Sequence, residues 1–157
     1  MFKKIKPYII SVVIALAVGG LSALVTMQNM NMFDDINMPP LSPPAILFPI
    51  VWCILYILMG ISMANVYVYR KRNLKAEKDS LKLYSLNLIF NFAWSIFFFN
   101  FRIFWFSFIW LVALWIIILL MIIKFCKVSK WAGLLQIPYL LWVTFAGYLN
   151  LSIALIN

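Results

Sequence analysis

Apolar positions fill this chain in long runs, and polar positions collect in the short interruptions between them. Five runs can cross a lipid bilayer: 8–27, 45–69, 81–101, 103–125 and 131–156. Each reaches the roughly 20 residues that a helix needs to span a hydrocarbon core of about 30 Å. The period-two alternation of a membrane β-barrel is absent. Backbone amides in lipid must be satisfied within their own segment. The pattern therefore predicts an all-α membrane protein, a single five-transmembrane-helix bundle over residues 1–157. One long loop, 28–42, joins the first two spans.

Composition sharpens this. Apolar residues make up 66% of the chain and charged residues 11%, against about 45–50% and about 25% in soluble domains. Twelve of the thirteen Lys and Arg residues fall before span 1, between spans 2 and 3, or between spans 4 and 5, all on one side of the membrane. Arg102 is on the other side with Asp34 and Asp35. The positive-inside rule then predicts a multi-pass cell-membrane protein with a cytoplasmic N-terminus and an external C-terminus. Topology thus accounts for the net charge of +9, although the same bases suit contact with anionic membrane lipid. Nucleic acid is not an expected partner, because no aromatic or motif support accompanies the bases. Met1–Ala23 also fits a signal peptide. Against that, the apolar run continues to Met27, and Ser11, Ala15, Gly19 and Ala23 place small residues on one face, as in a retained, closely packed helix. No Arg/Ser-rich transit segment is visible, which points to a prokaryotic plasma membrane. Cys53 and Cys126 have no metal-like spacing and fit small core thiols.

The missing residue types exclude several chemistries. There is no histidine and no Asp, Glu, Lys or Arg deep in any predicted span. A proton relay, an ion-coupled carrier or a voltage sensor needs such groups. A metal site and a Ser/His/Asp hydrolase lack their ligands or base; neither metal nor cofactor is expected. Five helices do not divide into two equal repeats, which disfavours alternating access of the usual kind.

The remaining polar groups are neutral and lie on defined helix faces. Trp52, Tyr56 and Met63 share one side of span 2, with Met59 and Gly60 between them. Asn87, Asn91, Trp94 and Phe98 share a side of span 3, and Trp142, Ala146, Leu149 and Asn150 a side of span 5. Singly, each Asn fits an interhelical hydrogen bond and each Trp a headgroup anchor; Trp105, Trp110 and Trp131 fit the anchor role. Together, aromatic walls with a few neutral hydrogen-bonding groups suit a flat, apolar ligand. The segment Pro39–Pro44 forms a stiff connector, making 28–42 either a lid over the bundle or simply a rigid entry into the membrane. Pro49 is placed to kink span 2 and aim Trp52 inward.

Several ordered blocks resemble the translocator protein/tryptophan-rich sensory protein family, also called the peripheral benzodiazepine receptor family. These are Pro39 with Pro43-Pro44; Val51-Trp52, Leu55-Tyr56 and Met59-Gly60; Asn91-Phe92-Ala93-Trp94 and Phe97-Phe98; and Pro138-Tyr139-Leu140 with Trp142, Phe145 and Leu149-Asn150. The resemblance spans roughly Met32 to Asn150. It implies a five-helix homodimer with a pocket beneath the loop between spans 1 and 2. It further implies binding of tetrapyrroles such as protoporphyrin IX and of isoquinoline and benzodiazepine ligands, and light- and oxygen-dependent porphyrin breakdown. The family's pocket tryptophans fall on Trp52 and Trp142, its asparagine on Asn91 and its small residue on Ala146. The implied ligand-binding set also includes Phe33 and Pro43. Departures are Leu41 and Ile46 in place of tryptophans, Met32-Phe33 in place of an aromatic pair, and Asn87 in place of glutamine. The cholesterol-recognition pattern after Tyr148 is absent.

The leading expectation is a tetrapyrrole receptor that promotes photo-oxidative degradation, with Trp52 and Trp142 as redox partners and walls. Arg102, at the rim, is the one base on that side available to a propionate. Transport or sensing of porphyrins without catalysis, and a purely structural role, are the alternatives.

Overall fold

The computed structural model describes residues 2–29, 31–69 and 74–157. The loop bases Arg70, Lys71 and Arg72 lie outside the described residues, as do the side chains of Lys3, Lys4, Asp34 and Lys75. The described elements are helical throughout: α1 (Phe2–Thr26), a 3-10 turn (Met27–Asn29), α2 (Met32–Asp35), α3 (Leu47–Tyr69), α4 (Leu74–Ser95), a π turn (Ile96–Asn100), α5 (Phe104–Val128), α6 (Lys130–Leu134) and α7 (Ile137–Ile156). They provide five helical stretches long and apolar enough to cross a membrane. Apolar residues cover the outside as well as the core; Leu24, Ile89, Ile109, Leu141 and Leu155 are all exposed. A helix that is apolar all round suits immersion in lipid.

Helix ends differ from the sequence expectation where polarity and helicity part company. α1 and α4 begin at Phe2 and Leu74, ahead of the expected residues 8 and 81. Apolar runs mark the thickness of the hydrocarbon, whereas Lys and Glu are good helix formers that carry the helix past it. Helix α4 gives way to a π turn after Ser95, closed by Phe101 N–H donating to the Ile96 carbonyl at 3.1 Å. The last span is interrupted at Leu135 and Gln136. Pro138 has no N–H to give the Leu134 carbonyl, so α6 closes with Gln136 N–H donating to Gly133 at 3.0 Å. Pro138 is then tolerated in the first turn of α7. Helix α3 starts at Leu47, so Pro43 and Pro44 precede it. Pro49 falls in its first turn, where the missing N–H has no intrahelical partner to lose.

The small face of α1 packs on α3. Ala15 is wholly buried. A Cβ at Gly60 would stand 2.5 Å from Val12 Cα, and one at Gly19 would strike the Tyr56 ring. These glycines set how closely the two backbones approach. Helix α5 lies against α4, α6 and α7, and its Leu114, Ile118, Met121 and Phe125 form the centre of the core.

Candidate functional site

A cavity of about 110 Å³ opens between α1, α3 and α4. Trp52, Tyr56 and Phe48 line it from α3, Asn91, Trp94 and Ser95 from α4, and Gly19, Ser22 and Thr26 from α1; Phe99 of the π turn closes one side. No Asp, Glu, Lys or Arg lines it. The Trp52 ring centroid is 5.8 Å from Tyr56, 6.4 Å from Trp94 and 6.1 Å from Tyr139. Spacing of 4.5–7 Å is the favourable range for aromatic pairs.

Behind this wall runs a buried polar chain across three helices. Tyr56 Oη donates to Asn91 Oδ1 at 3.2 Å. Asn91 Nδ2 donates to Tyr139 Oη at 2.9 Å. Tyr139 Oη donates to Asn87 Oδ1 at 2.8 Å, and Asn87 Nδ2 to Met59 Sδ at 3.4 Å. A second bridge runs from Trp94 Nε1 to Asn150 Oδ1 at 3.2 Å and from Asn150 Nδ2 to the Phe104 carbonyl at 2.9 Å. Each bond satisfies a group that would be costly to leave unpaired in an apolar bundle. Asn87 and Asn150 thus hold helices together, and Asn91 does this while also facing the cavity.

A smaller cavity of about 20 Å³ adjoins the first, lined by Phe33, Ala146, Leu149, Phe98 and Met38. Phe48, Trp94 and Phe99 line both. The expected site residues are therefore divided. Trp52, Tyr56, Asn91 and Trp94 meet in the larger space; Phe33, Ala146 and Leu149 meet in the smaller. Trp142 lines neither cavity; its ring meets Phe48, which lines both, with centroids 6.0 Å apart. The Trp142 Nε1–H is buried and has no hydrogen-bond partner among the described residues. Pro43 lines neither space, and Asn87 lies in the polar chain. Phe48, Phe99, Ser22 and Tyr139 were not anticipated as site residues. The signal existed for Phe48, four residues before Trp52 on the same helix face; Phe99 lies in the π turn, which α-helical spacing does not anticipate.

The loop between α1 and α3 plugs the same end. Met32 of α2 is fully buried, and Phe33 stacks on Phe48 at 5.9 Å and meets Phe99 edge-on at 5.8 Å. The loop is tied to the bundle by Tyr148 Oη donating to the Pro40 carbonyl at 2.9 Å and by Asn37 N–H donating to Asn157 Oδ1 at 2.8 Å. Arg102, expected at the rim, pairs with Asp35 at 3.3 Å. Both side chains are exposed, so the pair contributes about 1 kcal/mol at most.

A membrane-spanning helical bundle holding an aromatic, charge-free cavity under a tethered loop defines the class. The chain belongs to the TspO/MBR family, whose model matches residues 11–156. It is 35% identical over 160 residues to the tryptophan-rich protein TspO of Chlorobaculum tepidum, covering 100% of this chain and 99% of that one. It is 30% identical to the tryptophan-rich sensory protein of Cereibacter sphaeroides, over 80% of this chain and 76% of that one. It is also 28% identical to the translocator protein of Bos taurus, over 78% of this chain and 73% of that one.

Proposed function

We propose that this protein binds tetrapyrroles such as protoporphyrin IX at the Trp52 cavity and promotes their light- and oxygen-dependent degradation. The observation that carries this is a cavity walled by Trp52, Trp94, Tyr56 and Phe99 with no Asp, Glu, Lys or Arg in its lining. Such walls suit the face of a macrocycle, while its propionates stay outside, because burying them unpaired is costly.

The cavity of about 110 Å³ is smaller than the roughly 300–1,000 Å³ of sites that enclose small molecules. Binding therefore requires Phe48 and Phe99 to move, joining the two cavities and carrying the ligand edge towards Ala146. The same movement uncovers the unpartnered Trp142 Nε1–H, a donor available to a ligand acceptor. Release of Asp35 would free Arg102 for a propionate. In light, the excited tetrapyrrole takes an electron from the Trp52 indole and passes it to molecular oxygen, giving superoxide. Ground-state tetrapyrrole returns an electron to the indole radical cation, and the tetrapyrrole radical cation so formed combines with superoxide, so that both oxygen atoms end on the oxidised macrocycle. Trp94, Tyr56 and Tyr139, at 5.8–6.4 Å from Trp52, spread the resulting hole. Isoquinoline- and benzodiazepine-type ligands fit the same walls. In this reading the basic end faces the cytoplasm, the tethered loop faces outward, and two copies form a homodimer.

The test is the decay of protoporphyrin IX absorbance on illumination in air. Parent protein should accelerate the decay over detergent alone, Trp52→Phe should slow it severalfold, and Trp142→Phe should slow it less. Equal rates for parent and Trp52→Phe would remove the redox role. Binding in the dark with no acceleration in light would favour transport or sensing instead.

A further inference from the structure

A second cavity, of about 440 Å³, lies on the α1–α3–α4 seam at the opposite, basic end of the bundle. Its floor is buried Met63, Ala64 and Tyr84; its rim is exposed Lys6, Ile10 and Ile14. The volume falls within the range of about 300–1,000 Å³ typical of small-molecule sites. An apolar space of this size is poorly filled by water, and left empty it deprives its walls of dispersion contacts.

The buried Tyr84 hydroxyl faces the Ser11 hydroxyl on the same wall, a hydrogen-bond neighbour with no other partner beside it among the described residues. Lys6 makes no ion pair among the described residues. Asp79 of α4 is already paired with Lys124 at 3.5 Å. The α1 side of the rim belongs to a helix stretch of mean hydropathy 2.4, which suits access from the bilayer.

We propose that this groove is a second ligand site, occupied by one anionic phospholipid. Its headgroup sits on Lys6, and one acyl chain runs past Ile10 and Ile14 over the Met63, Ala64 and Tyr84 floor. A cation at the headgroup level with an apolar trough beneath it matches that amphiphile. The site shares no lining residue with the Trp52 cavity and does not depend on the function proposed for it.

The experiment is native mass spectrometry of the full chain released from phosphatidylcholine nanodiscs containing graded phosphatidylglycerol. The parent should retain one phosphatidylglycerol in preference to phosphatidylcholine. Lys6→Gln should weaken retention about fivefold, the share expected of one lysine near an anionic headgroup, and Lys6→Arg should restore it. Lys127→Gln, at the same end but outside the groove, should leave it unchanged. Phosphatidylglycerol with a photoreactive acyl chain should attach to the peptides carrying Ile10–Ile14 or Met63. Equal loss in Lys6→Gln and Lys127→Gln would mean a diffuse basic surface and overturn the site. So would attachment confined to other helices, or displacement of the lipid by inorganic phosphate.

Discussion

Gly60 is where one methyl group should cost most. An added Cβ would lie 2.5 Å from Val12 Cα and 2.8 Å from Val12 N, whereas carbon atoms pack best at about 3.5–4.0 Å. The obstacle is backbone, which cannot rotate aside, so α1 must back away from α3 by roughly 1 Å. Overpacking of this kind costs about 1–3 kcal/mol, and alanine returns up to about 1 kcal/mol of helix propensity. The net loss is about 1–2 kcal/mol, or a factor of about 5–30 in the unfolding equilibrium. Gly20 is the control, because a Cβ there meets nothing within 4 Å. Gly20→Ala should be neutral or stabilising. Unfolding in mixed micelles, followed by tryptophan fluorescence, measures both. Since α1 also supplies Gly19, Ser22 and Thr26 to the Trp52 cavity, Gly60→Ala should loosen ligand binding as well. A Gly60→Ala protein as stable as Gly20→Ala would refute the close α1–α3 contact.

Tyr139→Phe removes the shared hydroxyl of the polar chain and orphans Asn91 Nδ2 and Asn87 Oδ1. Buried groups left unpaired cost about 1–3 kcal/mol each, and hydrogen bonds in membrane bundles average about 0.6 kcal/mol, so a loss of about 2 kcal/mol is expected by the same unfolding assay. Asn87→Leu should be less than additive with it; full additivity would mean the two do not communicate. For topology, single cysteines at Leu41 and Lys130, in a chain lacking Cys53 and Cys126, should label oppositely with an impermeant maleimide. Leu41→Cys should react in intact cells and Lys130→Cys only after lysis; the reverse would invert the proposed orientation.

The spans were legible because lipid imposes one requirement, an apolar helix of fixed minimum length, on every segment. What lies beyond the lipid was not. The residues Lys78 and Asp79 read as loop because they are charged, yet they are helical. The break at Leu135–Gln136 is a local consequence of Pro138 that an apolar run of 26 residues conceals. Helix faces, by contrast, carried over well. The spacing of Trp52 and Tyr56, and of Asn91 and Trp94, put all four on one cavity. Trp142 shows the limit of such reasoning. Its face was readable, but Phe48, in a neighbouring helix, decides what that face meets. Likewise Asn87 and Asn91 look alike in sequence, and only Tyr139 shows that one is buried in the polar chain while the other also borders the cavity.

The most direct test of the central claim is quenching of tryptophan fluorescence by protoporphyrin IX on purified protein in the dark. The parent is compared with Ser22→Phe, which fills the Trp52 cavity, with Ala146→Phe, which fills its neighbour, and with Asn91→Ala; all three keep every tryptophan. Saturable quenching by the parent, lost in Ser22→Phe and Ala146→Phe and weakened in Asn91→Ala, is the expected result. Quenching that does not saturate, or that ignores all three substitutions, would show that porphyrin only partitions into the detergent, and the indole-walled cavity would then be a packing feature of the bundle.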